Sequence, residues 1–402
     1  MAVTLTSADS ALKTYYLDAV AEQIKISNPF LAAIKQSSDD VWGKEVKKLA
    51  VYGVNGGIGA GTEEGALPAS AGNNYTEMVT VLKNLYGTIE ISDKAVRASA
   101  VSAGAFVNLL NAEMEGLIRA GSFNFSRMLF GDGSGKLATI SAVSSGVITV
   151  DSVKNLETGM VIDIRTPVGV AVAAGTAKRI LGINRSAKTL SIEGITAETQ
   201  GISKNMIITL QGSYNNEITG LKAIFDTTKD LYGLTRADNE WLNPYINSAV
   251  GALTEDAIQE AIDDIEERSG GTVNFILCSR DVRRILQKLL SAGKRFTDTA
   301  ELAGGYKAIT YNGIPVVADR FCPEGTMYLL NTDDFTLHQL CDWQWLTGDD
   351  GRVLKQVAGK PVYTATLVKY ADLMCARPCG QGMLSGITGQ EDADGTDGGE
   401  TA

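Results

Sequence analysis

Apolar positions along the chain change their period several times, and each change marks an element. Between residues 9 and 34, Leu12, Tyr16, Ala19, Val20 and Ile24 fall at helical spacing, and Leu31 and Ile34 follow a break near Asn28 and Pro29. So short a piece cannot form a core by itself and reads as an arm. Residues 46–54 and 75–91 favour strand, with Val51, Tyr52, Val79, Val81, Tyr86, Ile89 and Ile91. Between them, residues 53–74 are a run mostly of Gly, Ala, Ser and Asn with two glutamates, and little to bury beyond Ile58 and Leu67. A structureless loop of roughly 20 residues does not suit a compact domain. It is either disordered or the tip of a long hairpin that another molecule orders, and the length of the flanking strands favours the hairpin.

Ser92 and Asp93 are cap-type residues ahead of a helical region. Over residues 104–130, Phe106, Leu110, Met114, Leu117, Ile118, Phe125, Met128 and Leu129 keep helical spacing through about seven turns, and Gly131, Asp132 and Gly133 stop it. Short alternating strands follow at 147–150, 160–164, 177–183, 189–192 and 206–209, which predicts a small β-barrel or sandwich inserted over residues 141–213. Mixed patterning then resumes. Thr254 caps a helix carrying Ile258, Ala261, Ile262 and Ile265, ended by Gly270 and Gly271. Residues 273–278 are a buried strand, and Ser279 opens a helix with Val282, Ile285, Leu286, Leu289 and Leu290 inward. Asn312 and Gly313 make a two-residue hairpin turn, and 327–330 is a further strand. Strands at 335–340, 353–356 and 362–375 close the fold. Residues 388–402 hold five carboxylates and no base, and read as a disordered tail.

Composition narrows the function. At 402 residues, 44% hydrophobic and 21% charged, the chain has the profile of a soluble globular protein of two or three subdomains. No run approaches a membrane span, and no secretory signal precedes residue 13. A net charge of −11 argues against a nucleic-acid grip and suits the inner wall of a container whose cargo must slide. Cys278, Cys322, Cys341, Cys375 and Cys379 form no CxxC pair and read as reduced, small apolar residues.

Candidate chemistry is thin, and no catalytic, cofactor or metal site is expected. His338 is the single histidine, so a multi-histidine zinc site is excluded and the residue reads as packing. Residues 131–136 (GDGSGK) have three residues where a phosphate loop needs four, Leu137 where it needs Ser or Thr, and a helix on the wrong side. The glycines 53–61 contain no dinucleotide fingerprint. Asp256, Glu260, Asp263, Asp264 and Glu267 form a solvated helix face. Arg280, Arg283, Arg284 and Lys288 form a basic face that could meet phosphate, with salt bridging to a neighbouring subunit preferred. Trp343 and Trp345 share one side of a strand and read as core or interface anchors.

The order of arm, long hairpin, long helix, inserted β unit, mixed block and returning strands resembles the Hong Kong 97 capsid fold of tailed-phage major capsid proteins. The strings EISDKAVRAS, EITGLKAIF and YNGIPVVADRFCPEGTMYLLN are similar to phage and prophage capsid sequences. The resemblance implies an α+β fold with residues 1–45 as the N-arm, 46–95 the extended E-loop, and 96–140 a peripheral (P) domain with its spine helix. It makes 141–213 the inserted β domain, 214–334 the axial (A) domain, 335–387 closing P-domain strands and 388–402 the tail.

The function implied is a shell subunit that self-assembles into an icosahedral head around phage DNA. Its partners would be copies of itself in hexamers and pentamers, portal and scaffolding proteins, a decoration protein, and DNA without sequence-specific contact. Gly57, Gly59, Glu63, Glu64, Leu67, Arg280, Arg283, Arg284, Trp343 and Trp345 are the expected intersubunit contacts. The product would be made in the host cytoplasm and end in the virion. Some relatives crosslink through an E-loop lysine, but residues 53–74 contain none, so no such crosslink is expected. Arrival at the E-loop by Val46 implies a separate scaffolding protein or none. An encapsulin-like cargo shell shares the fold, and a hydrolase with a β accessory domain is the rival from another class.

Overall fold

A computed structural model describes residues 28–94, 103–195, 201–292, 299–302, 306–348 and 351–389. The first part of the expected arm and the acidic tail lie outside these residues. The chain forms two compact units: one takes residues up to Ala32, Lys83–Ala223 and Cys341–Ala371, the other Ala33–Leu82, Ile224–Leu340 and residues from Asp372 onward.

In the first unit the helix Ala103–Met128 is 26 residues long, close to the predicted span. Met114, Ile118, Phe125 and Met128 recur at spacings of three, four and seven and are buried. The helix lies against the strand Lys83–Ser92, where a Cβ on Gly87 would stand 2.8 Å from Leu117 Cδ1. That strand pairs antiparallel with Val362–Cys375, from Val362 opposite Ser92 to Ala371 opposite Lys83.

The inserted β domain is a closed barrel of six strands, Lys136–Ser144, Val147–Val150, Val161–Arg165, Lys178–Asn184, Thr189–Ile192 and Ile207–Leu210. Leu137, Ile140, Ile148, Leu156, Ile162, Ile164, Leu190 and Ile208 fill it. It begins at residue 136, not 141. Its first strand carries a register shift between Ile140 and Ala142, which interrupts its alternation.

The GDGSGK segment is the entry to this barrel. Asp132 Oδ1 accepts the Ser134 N–H at 3.1 Å, and Gly133 and Gly135 have φ of 80° and 75°. A Cβ on Gly135 would stand 2.5 Å from Ser213 O, so glycine is required by the chain leaving the barrel, not by a phosphate. Burial raises the Asp132 pKa, but the hydrogen bond from Ser134 and the charge of Lys222 outweigh it and hold the carboxyl at about 2.

The second unit is built on a seven-stranded sheet in the order Tyr245–Asn247, Gly382–Leu384, Met327–Leu330, Phe275–Cys278, Ile314–Ala318, Tyr306–Tyr311, Thr299–Leu302. Two helices, Glu255–Ser269 and Arg280–Ala292, share one core with it. Thr254 Oγ1 accepts the Ala257 N–H at 3.1 Å, and Gly270 closes the first helix in the left-handed conformation. Asn312 and Gly313, at φ 48° and 83°, form the hairpin turn the sequence predicts.

Two expectations change. Residues 335–387 do not all close the other unit, because Gly382–Leu384 enters this sheet parallel to Tyr245–Asn247. In addition, Lys35–Ser37, expected to be arm, pairs parallel with Phe335–Trp345. The break near Asn28 and Pro29 is a helix start, where Asn28 Oδ1 accepts the Leu31 N–H at 2.9 Å.

Candidate assembly surface

A three-stranded sheet of Val41–Trp42, Glu45–Tyr52 and Asn74–Val81 forms a finger in the second unit. The expected single strand over residues 75–91 is two strands. At Leu82, whose N–H donates to Lys44 O at 3.0 Å, the chain leaves the finger. The register runs from Glu45 opposite Val81 to Tyr52 opposite Asn74, so alternate residues divide cleanly between two faces.

The inner face is rooted. Val46, Ala50, Met78 and Thr80 are buried, and the Thr80 hydroxyl donates to the buried Asp372 carboxylate. Val79 N–H reaches Tyr232 O at 2.9 Å, and Tyr52 stacks on Trp241 with ring centroids 5.6 Å apart. Arg236 secures the segment carrying Trp241 by donating to the carbonyls of Ile224, Lys229 and Leu242.

The outer face is open. Trp42 is 82% exposed, Leu49 61%, Val51 60%, Tyr75 53% and Val81 46%. One solvated ion pair, Lys47 with Glu77 at 3.4 Å, lies among them. A sheet face this apolar is not what a free surface needs, and such patches mark interaction sites. Sequence reading missed these five residues as a site, although the signal was present: both strands carry apolar residues at odd and even positions, so both faces want burial.

Beyond the strands the tip, residues 53–73, is exposed along almost all its length, with Ile58 at 88% and Leu67 at 90%. Its base has order of its own. Asn55 Nδ2 donates to Asn73 Oδ1 at 2.8 Å, Asn73 Nδ2 to Tyr75 Oη at 3.1 Å, and Gly57 N–H to Asn55 Oδ1 at 2.8 Å. The structure thus brings Gly57, Gly59, Glu63, Glu64 and Leu67 together on one projection.

The other expected contact residues lie elsewhere. Trp343 and Trp345 are 7% and 6% exposed, so their burial leaves little surface for a neighbour. Trp343 meets Phe125 edge to face at 6.0 Å inside its own unit, with Lys369 Nζ over both rings. Arg280 and Arg284 are exposed and Arg283 is half-buried, on the outer side of the helix whose Val282, Leu286 and Leu290 face the core.

Cys278, Cys322 and Cys375 are buried free thiols, and burial pushes Cys278 up to about 12, away from reactivity. Among the described residues no cluster of three or more His, Cys, Asp or Glu is placed to hold a metal, and no helix is long and apolar enough to cross a membrane.

A family model for the SU10 major capsid protein matches residues 190–350. The Cyanophage A-1(L) capsid asymmetric unit is similar over 90% of this chain and 93% of that one, with a TM-score of 0.56 and 14% identity. A structure of Mycobacterium phage Adephagia aligns over 89% and 90% of the two chains at TM-score 0.44 and 9% identity. The holo-SrpI encapsulin complex from Synechococcus elongatus PCC 7942 aligns over 97% and 98% at 0.46 and 10%. No curated protein sequence matches the chain.

The fold is that of the Hong Kong 97 shell proteins, with a closed six-stranded barrel added. On that fold, residues 190–350 match the SU10 major capsid protein family.

Proposed function

We propose that the finger makes the shell: its outer face and glycine-rich tip lie on a neighbouring copy, linking subunits into hexamers and pentamers around packaged DNA. The supporting observation is the division of the finger, rooted on one face and open on the other through Trp42, Leu49, Val51, Tyr75 and Val81. Ordering the tip costs about 1–2 kcal/mol per residue, and burying each large apolar side chain returns about 1.5–3 kcal/mol. Among the described residues nothing covers them, whereas closed symmetry repeats the contact at every copy.

With no lysine in residues 53–74, the shell is held without a tip crosslink. The acidic balance of −11 lets DNA be enclosed without being gripped. Portal and scaffolding proteins, and a decoration protein on the outside, complete the head, which is assembled in the host cytoplasm and carried in the virion.

Electron microscopy and sedimentation of the expressed protein test this. The native chain should form large closed particles. The double substitution Leu49→Asp with Val51→Asp should give folded subunits, with unfolding free energy changed by no more than about 0.5 kcal/mol, and no particles. Particles from that variant in native yield would exclude the finger face as the assembly contact.

A further inference from the structure

We propose that the acidic turn at the end of the finger, Glu63 with Glu64, lies on the basic row of the helix Arg280–Ala292 of a neighbouring copy; resting on the reading of the finger as an assembly contact, this names the surface that receives its tip.

The tip ends in a built turn. A Cβ on Gly57 would stand 3.3 Å from Ala71 N, and one on Gly59 3.3 Å from Pro68 Cγ, so the two legs of the tip run side by side. Gly65 N–H donates to Thr62 O at 3.1 Å and closes the ribbon, with Glu63 and Glu64 at the two central positions of the turn. Both glutamates are exposed, and residues 53–73 contain no Lys or Arg. Ile58 stands on one leg and Leu67 on the other, both exposed, so the end of the finger offers two anions between two large apolar side chains.

The helix offers the complement. Arg280, Arg284 and Lys288 recur every four residues and so stack on one face, with Arg283 beside them. The first three are exposed, and the half-buried Arg283 holds its Nε out of solvent with no hydrogen-bond partner. No ion pair joins any of the four to a described carboxylate. The helix's own acid, Asp281, is committed elsewhere, accepting the Gly325 N–H at 2.8 Å. Because Val282, Leu286 and Leu290 are locked in the core, the helix cannot turn the row inward. Ile285 and Leu289, only partly buried, border the row and give Ile58 or Leu67 something apolar to meet.

Spacing and symmetry both favour this pairing. Successive cations of the row are about 6 Å apart, and the Cα atoms of adjacent glutamates about 3.8 Å, a difference that two flexible side chains span. The helix Glu255–Ser269 also presents exposed acids, Asp256, Glu260, Asp263 and Glu267. It covers the same sheet face as Arg280–Ala292, however, since both pack on Ile276, Cys278, Met327 and Leu329. Pairing those two helix faces between copies joins one surface to itself and gives a twofold dimer. A tip on a helix joins unlike surfaces, and such a contact repeats around a ring.

Charge exchange in the full-length chain tests the contact. Glu63→Lys with Glu64→Lys, or Arg280→Glu with Arg284→Glu, should each leave a folded subunit and raise the concentration needed for particles at least tenfold at low salt, because weak pairs repeat at every copy. The four substitutions together should restore assembly to within about threefold of native, and high salt should narrow all these differences. Carbodiimide treatment of assembled isotope-labelled and unlabelled chains should join Lys288 of one to Glu63 or Glu64 of the other. Unchanged assembly in either double variant, no recovery in the combined one, or Lys288 crosslinked only to other carboxylates would overturn the proposal. Any of these, with particles still lost in Leu49→Asp with Val51→Asp, would leave the finger face as the assembly contact and remove only this receiving surface.

Discussion

Arg127 and Glu217, 90 positions apart in the chain, meet in a two-pronged ion pair at 2.6 and 2.8 Å with 3% of each side chain exposed. Arg127 stands in the last turn of the long helix, and Glu217 follows the last barrel strand. The pair therefore closes the ends of the insertion on each other. Both charges have left water, so removing one strands the other, at a cost of about 3–5 kcal/mol. Arg127→Ala and Glu217→Ala should each lower unfolding free energy by that order in urea titration. Replacing both together, Arg127→Met with Glu217→Leu, should recover most of the loss, and a double variant as unstable as the singles would show that packing, not charge, holds the junction.

Gly220 lies three residues further on. A Cβ there would stand 2.5 Å from Met128 O and 2.6 Å from Leu129 O, and the next residue, Leu221, donates its N–H to Leu129 O at 2.8 Å. The returning chain thus lies directly on the carbonyls that end the helix. Gly220→Ala must push backbone against backbone and should cost about 1–3 kcal/mol, as overpacking does. Gly212, with open space at its Cβ but a φ of 72°, provides the contrast. Gly212→Asn, which tolerates that conformation, should leave the unfolding midpoint nearly unchanged.

These two residues show what was legible in the sequence. The string EITGLKAIF read as family wording, but its Glu and Gly have physical work: one pairs with Arg127 and the other yields space to Met128. Nothing local in sequence pairs positions 127 and 217. The long helix was legible because Met114, Ile118, Phe125 and Met128 keep one period over about four turns of it. The barrel strands were legible as short apolar segments between turns, except the first, whose alternation is interrupted by the shift at Ile140. The division of residues 75–91 at Leu82 was not, because no Gly or Pro marks it and only the pairing partners change. The finger was legible as a projection; its open face required knowing which alternate residues are rooted.

Lys369 is nearly fully buried, yet it reaches the half-exposed Asp342 at 2.7 Å and lies over the rings of Phe125 and Trp343. Burial lowers its pKa, and the Asp342 carboxylate opposes that shift. The Asp342 charge and two ring faces thus help to hold the ammonium. Asp342→Ala should be the more damaging change, because it removes a counter-charge 2.7 Å from a buried cation, at a cost on the order of 3 kcal/mol. Lys369→Met keeps the stem's packing and removes the desolvated charge, so its cost should be under about 1.5 kcal/mol. Thermal unfolding of the two variants side by side checks the order; the reverse order would mean that the ion pair contributes more than its desolvation costs.

His338, the single histidine, is fully buried on the strand Phe335–Trp345 opposite Ser37, and neither ring nitrogen has a hydrogen-bond partner. Burial, joined by the positive charges of Lys48 and Lys35 against the weaker pull of Asp40, lowers its pKa below 6.5. A depressed pKa means the fold refuses a proton that the unfolded chain accepts. The stability it confers is complete above pH 6.5 and is lost as pH falls from there through the folded-state value. Asp334 acts with the opposite sign, since its burial raises its pKa above 3.8, but it is common to wild type and variant and cancels in their difference. Urea unfolding of wild type and His338→Leu between about pH 8 and pH 5 should therefore show a steeper acid loss in the wild type, beginning near the ordinary histidine pKa. Parallel curves would mean that the imidazole finds a proton acceptor in the folded chain and is not the source of acid sensitivity.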